Sequence, residues 1–144
     1  MRNLAMVVPI LLSSFALLST AGTLSAQKLV SAEIRFDTLG NDKDHDTYAN
    51  VEVLRSDGYK AASAYNIGGH YNDHSSHTVG LQVFPADAAS LSGAVLHIWI
   101  NTNGNDKWEF RPTLLLRFDD RSEREVPLGN MTLTQDDDEL KVSF

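Results

Sequence analysis

Apolar residues in this chain recur at every second position in a series of short runs, and this is the periodicity of β-strands. In one run Leu96, Ile98 and Ile100 share a face. The residues between them, His97 and Trp99, lie on the opposite face. Alternation of this kind is typical of antiparallel sheets that pack one face on a core and leave the other face in water.

About eight such runs, separated by turn signals, predict an all-β fold, and clean alternation favours an antiparallel β-sandwich over a barrel. Residues 86–91 are expected to form at most two helical turns. The predicted strands are 29–36, 48–54, a return arm from Tyr59, 77–84, 94–100, 108–118, 128–134 and 139–144.

Three local features carry more specific expectations. Val30 alternates with Ala32 and is expected on the core face of the first strand. Pro112 has no backbone N–H, so it must bend the strand, bulge it or lie at a sheet edge. The polar stretch 119–124 is expected to be a solvated turn.

The first 26 residues have the pattern of a secretory signal. Arg2 precedes an apolar stretch over 4–18, and small residues lead to Ala26 before Gln27. The alternative is a membrane anchor, but the stretch is shorter than the ~20 residues that a span needs. The sequence therefore predicts a cleaved signal peptide over 1–26 and a single domain over 27–144 without a transmembrane segment.

Composition narrows the classes of partner and of host. The formal net charge is −7, which disfavours nucleic acid because phosphate binding needs a basic face. The chain has no cysteine, so an exported form would fold without disulfides. Export without disulfides is common in bacteria, and the chain is therefore predicted to be a bacterial periplasmic or secreted protein.

The tetrapeptide Gly-Asn-Asp-Lys occurs twice, at 40–43 and at 104–107, each time between predicted strands. Two such loops at one end of a sandwich could surround one hard cation, since calcium takes six to eight oxygen ligands. An EF-hand is excluded, because Thr47 and Val53 stand where its glycine and glutamate belong. The alternative is that these residues only form turns. The candidate ligands are Asp42, Asp44, Asp46, Asn103, Asn105 and Asp106.

The histidines suggest a second, less favoured kind of site. His70, Asp73 and His74 could hold zinc in a small exported hydrolase, and His77 is close by. Their spacing matches no helix-borne zinc motif. His77 also begins a predicted strand, which would aim its side chain away from an ion held in the loop.

Trp108 follows the second loop and shares a strand face with Phe110. Both are expected in the core, because large aromatic side chains anchor sandwich interiors. The alternative for Trp108 is contact with a ligand, through insertion into lipid or stacking on a sugar. His45 in the first loop is another candidate ligand contact.

Three segments resemble the PLAT domain, the β-sandwich module of polycystins, lipoxygenases and clostridial alpha-toxin, and most closely its small exported bacterial form. They are Phe-Asp-Thr-Leu-Gly-Asn-Asp at 36–42 with the strand after it, the polar stretch 71–79, and Gly-Asn-Asp-Lys-Trp-Glu-Phe at 104–110. The resemblance implies a non-catalytic domain that binds calcium at its loops. The positions that correspond to ligands are Asp42, Asp46, Asn105 and Asp106.

Together these observations predict an exported, non-catalytic binding module with calcium as its cofactor. Its partner would be a lipid surface, a glycan or a protein that contacts the calcium loops. The alternative is a metal-free structural or inhibitory β-sandwich.

Overall fold

The computed structural model describes residues 26–144, which form nine β-strands and no helix. None of these residues belongs to a helix that could cross a membrane. Residues 1–25, which hold nearly all of the predicted signal peptide, lie outside the described part. The strands are β1 Leu29–Thr38, β2 Tyr48–Leu54, β3 Lys60–Ile67, β4 Ser76–Val83, β5 Val95–Asn101, β6 Lys107–Phe118, β7 Glu123–Pro127, β8 Met131–Thr134 and β9 Glu139–Ser143.

All strand pairs are antiparallel, in the order β7-β6-β1-β4-β3-β2-β5-β9, with β8 also paired to β6. The sheet turns a corner at β4, which pairs with β1 along most of its length but with β3 only through Gln82 and Val83. The β8–β9 hairpin links the two halves again, because β8 pairs with β6 and β9 with β5. The predicted all-β antiparallel fold is confirmed, and its sandwich is one curled sheet with two facing halves.

The core lies between these halves. Leu96, Ile98 and Ile100 are at most 1% exposed, as their alternation predicts. Phe36 and Phe110 face them from the other half and are fully buried. Each large apolar side chain removed from water in this way stabilises the fold by about 2 kcal/mol.

The first strand differs from its prediction at one position. Val30 is 55% exposed, whereas Leu29 is only 6% exposed. The pairing of β1 with β6 shifts between Leu29 and Ser31, and Val30 is the extra residue of this bulge. The expectation that Val30 lies on the core face is therefore wrong, because the bulge reverses the alternation there.

Pro112 lies within β6, and no hydrogen bond of the sheet is lost through its missing N–H. Its carbonyl accepts a hydrogen bond from the Leu128 amide at 3.1 Å, on the side of β6 away from β1. On this side β7 pairs from Thr113 onward and β8 pairs up to Phe110. Pro112 thus occupies the gap between two partner strands, where no neighbour needs its N–H.

The stretch 119–124 was expected to be a turn, but its last two residues already belong to β7. Glu123 forms an ion pair with Arg117 of β6 at 2.7 Å. β7 carries charged residues at its first three positions, so it lacks the apolar alternation that marked the other strands.

Candidate functional site

Three loops meet at one end of the sandwich, and we call this region the loop end: 39–47, 68–75 and 102–106. Lys43 and Tyr71 exchange backbone hydrogen bonds of 3.1 and 3.0 Å, which join the first loop to the second. The Asp44 amide donates to Asp106 Oδ2 at 3.3 Å, which joins the first loop to the third. The two copies of Gly-Asn-Asp-Lys are therefore adjacent in space.

A compact group of metal-ligating side chains lies at the loop end. Asp42, Asp44 and His70 each offer one ligand atom, and these atoms lie within 4.8 Å of one another. Asp42 Oδ2 is 2.5 Å from His70 Nε2. The group unites two predicted calcium ligands with one histidine of the predicted zinc set.

The other predicted ligands have different surroundings. Asn103 Nδ2 donates to Asp46 Oδ2 at 3.5 Å, so these two also connect the first and third loops. Asn105 and His45 are exposed. Asp106 contacts the backbone of Asp44, as described above.

The predicted zinc set is not gathered as one group. Asp73 and His74 are exposed and do not join the cluster around His70. The His77 ring stacks on Tyr71, with centroids 4.0 Å apart and planes 1° apart. His77 is thus directed towards the second loop's aromatic residue and not towards Asp42.

Lys43 is the main feature of the loop end that the sequence interpretation missed. It is fully buried, and its ammonium donates to the carbonyls of Thr47 at 2.7 Å, Gly69 at 2.5 Å and Asp44 at 3.3 Å. Lys43 Nζ also lies 4.8 Å from the centroid of the Tyr71 ring. The side chain thus acts as an internal cation that binds backbone oxygens of two loops.

Three of the six predicted calcium ligands carry negative charges close to Lys43. Burial lowers the pKa of Lys43, and the nearby carboxylates of Asp106, Asp44 and Asp46 raise it without restoring the usual value. These three carboxylates are therefore already arranged near one positive charge.

The lysine of the second copy behaves differently. The Lys107 side chain is 50% exposed and forms an ion pair with Glu109 at 2.6 Å. The tetrapeptide alone gives no sign of this difference. It arises because Lys43 packs against Gly69 and Tyr71, which belong to a loop distant in sequence.

Trp108 is a core residue. It is fully buried, its indole N–H donates to Thr38 Oγ1 at 3.2 Å, and it stacks on Phe110 with centroids 4.0 Å apart. The proposal that Trp108 contacts a ligand is wrong, because strand alternation turns it inward. His45 remains a predicted contact at the exposed surface of the first loop.

No family model and no curated protein matches this chain. The likeness to PLAT domains therefore stays a prediction that rests on the three sequence segments described above.

Proposed function

We propose that this protein is an exported, non-catalytic binding module that holds a divalent cation, calcium, at its loop end. The observation that carries this proposal is the convergence of Asp42, Asp44 and His70, with ligand atoms within 4.8 Å of one another. Two carboxylates this close repel each other, and Lys43 lies near Asp44, but a bound cation would be shared by both.

Calcium suits the two carboxylates because it is a hard ion that takes oxygen ligands in flexible geometry. Asp42 and Asp44 can supply up to four oxygens if both bind in bidentate fashion, and water can complete the shell. Both residues lie in a loop fixed by backbone bonds to Tyr71, so less ordering accompanies binding.

His70 favours a second candidate ion. Imidazole nitrogen is a preferred ligand of zinc, and carboxylate oxygens also bind it, so Asp42, Asp44 and His70 could together supply three zinc ligands. The two ions make different demands on His70: zinc would bind it directly, whereas calcium needs only the oxygens.

Thermal melting with added metal tests the site. Calcium is expected to raise the midpoint, since a ligand of the folded state at a hundred times its Kd stabilises it by about 2.7 kcal/mol. Asp42→Asn should reduce this shift. Asp73→Asn, which removes the same charge from the adjacent loop outside the cluster, should leave it unchanged.

The ion is identified by the same measurement with His70→Ala. A calcium shift that persists in this variant supports calcium, and a zinc shift that disappears in it supports zinc. No shift with either ion at millimolar concentration, or equal shifts in the wild type and Asp42→Asn, would contradict the proposal.

The proposed partner is an anionic lipid surface, bridged by the bound ion. The chain itself is acidic, with a net charge of −7, so it needs an added cation to approach such a surface. We expect sedimentation with phosphatidylserine vesicles in calcium and none in EDTA. Sedimentation that is the same in calcium and EDTA would rule out the bridging mechanism.

A further inference from the structure

Aromatic side chains cluster on the outer face of the β3-β2-β5-β9 half, opposite the core, and none of them belongs to the Asp42 cluster. Tyr65 and Trp99 have ring centroids 5.9 Å apart, and His97 stacks on Trp99 with centroids 4.6 Å apart. Tyr65 is 45% exposed, and Trp99 and His97 are partly exposed. We call these three residues the aromatic face.

Tyr65 points outward by the normal alternation of β3, and a bulge follows it directly. Val51 of β2 pairs with Ala64, but Ala49 pairs with Ile67, so β3 has one more residue than β2 in this interval. Asn66 in the bulge has a φ of 54°, which non-glycine residues rarely adopt. Bulges of this kind redirect side chains and are common beside functional sites.

The geometry of the sheet shows where the rings meet. β3 and β5 flank β2, so their backbones are about 10 Å apart at the usual strand spacing. Ring centroids 5.9 Å apart therefore require Tyr65 and Trp99 to lean towards each other over β2. The Tyr65 hydroxyl confirms this direction, because it donates to Glu52 of β2.

An unpaired polar group lies at the base of the aromatic face. Asn50 is 3% exposed and in register with Trp99. Its Oδ1 accepts from the Asn66 amide at 3.0 Å, but its Nδ2 has no hydrogen-bond partner among the described residues. Buried donors are paired in most proteins, so this donor is suited to a buried water molecule beneath the rings.

The rim of the aromatic face is polar and balanced in charge. Glu52 pairs with Lys60 at 3.1 Å, and Glu139 pairs with Lys141 at 3.5 Å and with His97 at 3.0 Å. Burial raises the pKa of Glu52, but hydrogen bonds from Tyr65 and Lys60 outweigh this and lower it overall. The rim thus has two carboxylates that accept hydrogen bonds, on Glu52 and Glu139, beside two ammonium groups that donate them, on Lys60 and Lys141.

We propose that the aromatic face binds a neutral saccharide. Exposed aromatic rings supply the apolar surface that the C–H face of a pyranose ring covers, and the rim supplies donors and acceptors for its hydroxyls. The charges of Glu52 and Glu139 are balanced by Lys60 and Lys141, so the rim has no net positive charge that would select an anionic ligand. A quaternary ammonium ligand fits less well, because Lys60 already lies 5.3 Å from the Tyr65 ring centroid.

The aromatic face shares no residue with the proposed cation site, and its test uses different ligands and variants, so the two proposals can fail independently. The test is native gel electrophoresis through gels that contain hydroxyethylcellulose, dextran or galactomannan. We expect at least one of these neutral polysaccharides to retard the wild-type protein, equally in calcium and in EDTA.

Variants locate the binding. Tyr65→Ala and Trp99→Ala are expected to weaken the retardation about tenfold or more, since aromatic anchors dominate binding energy at such sites. Tyr59→Ala is the matched control, because Tyr59 is 71% exposed but lies in the β2–β3 turn. It should be retarded like the wild type.

Folding of each variant is checked by far-UV circular dichroism. If Trp99→Ala does not fold, Trp99→Thr takes its place, because threonine is favoured in strands. No retardation by any of the three polysaccharides would overturn the proposal. Retardation that is equal in the wild type, Tyr65→Ala and the Trp99 variant would overturn it as well.

Discussion

Replacing Lys43 with methionine is expected to lower the free energy of unfolding by about 2 kcal/mol. Methionine fills a similar volume but cannot donate a hydrogen bond. The carbonyls of Thr47 and Gly69, which accept from Lys43 at 2.7 and 2.5 Å, would then lose that donor. The Thr47 carbonyl is buried, and a buried carbonyl left without a partner costs about 1–3 kcal/mol, whereas Gly69 is exposed and its carbonyl can bind water.

Removal of the buried charge offsets only part of this effect. Burial lowers the pKa of Lys43, so the fold holds the ammonium at an electrostatic cost that methionine would remove. Replacing a whole buried ion pair by apolar residues is often neutral for this reason. Here the partners are backbone carbonyls and the carboxylates of Asp44, Asp46 and Asp106, and all of them remain in place when the Lys43 side chain is changed.

Lys107→Met is the matched control, since it alters the same position of the same tetrapeptide. The Lys107 side chain is 50% exposed, so this variant should unfold at almost the wild-type denaturant concentration. Urea unfolding followed by circular dichroism measures both. Equal midpoints for the two variants would contradict an internal cation role for Lys43.

The cation site and Lys43 share a residue, and this changes the predicted two-loop site. Asp44 belongs to the cluster with Asp42 and His70, and its carboxylate is also one of those that raise the pKa of Lys43. Asp46 and Asp106 are near Lys43 as well. An added ion is therefore expected beside Asp42 and His70, because the centre between the loops already contains an ammonium.

The strands could be predicted where one face is apolar and the other polar. β5 follows this rule, with Leu96 and Ile98 buried and His97 partly exposed. β7 does not, because Glu123 and Glu125 show no apolar alternation and the strand depends on pairing with β6. Pairing of this kind is a property of the folded sheet, so no local pattern reveals it.

The sequence could predict which residues are metal ligands by their chemistry, but not which of them lie together in the folded protein. The aspartates of the first loop were identified from their spacing, yet His70 reaches Asp42 from 28 residues away. The aromatic face was missed for the same reason: Tyr65 meets Trp99 across β2, and that contact joins residues 34 positions apart in sequence. Contacts between loops and across strands decide both arrangements.

Replacing Trp108 with alanine is expected to lower the free energy of unfolding by about 4 kcal/mol, the usual cost of deleting a large aromatic core side chain. Trp108 is fully buried, stacks on Phe110 and lies 5.0 Å from the Phe36 ring centroid, so a cavity would open between the two halves of the sheet. Trp108→Phe should lose less, since it keeps most of the packing and forfeits the bond to Thr38.

The other tryptophan provides the control for this prediction. Trp99 lies on the outer face and is partly exposed, so Trp99→Ala should shift the urea midpoint much less than Trp108→Ala. The two substitutions are therefore expected to have opposite profiles: Trp108→Ala removes stability, and Trp99→Ala removes saccharide binding. An unchanged urea midpoint for Trp108→Ala would contradict the role of Trp108 as a core anchor. Deletion of a fully buried indole is neutral only where the surrounding strands collapse onto the cavity.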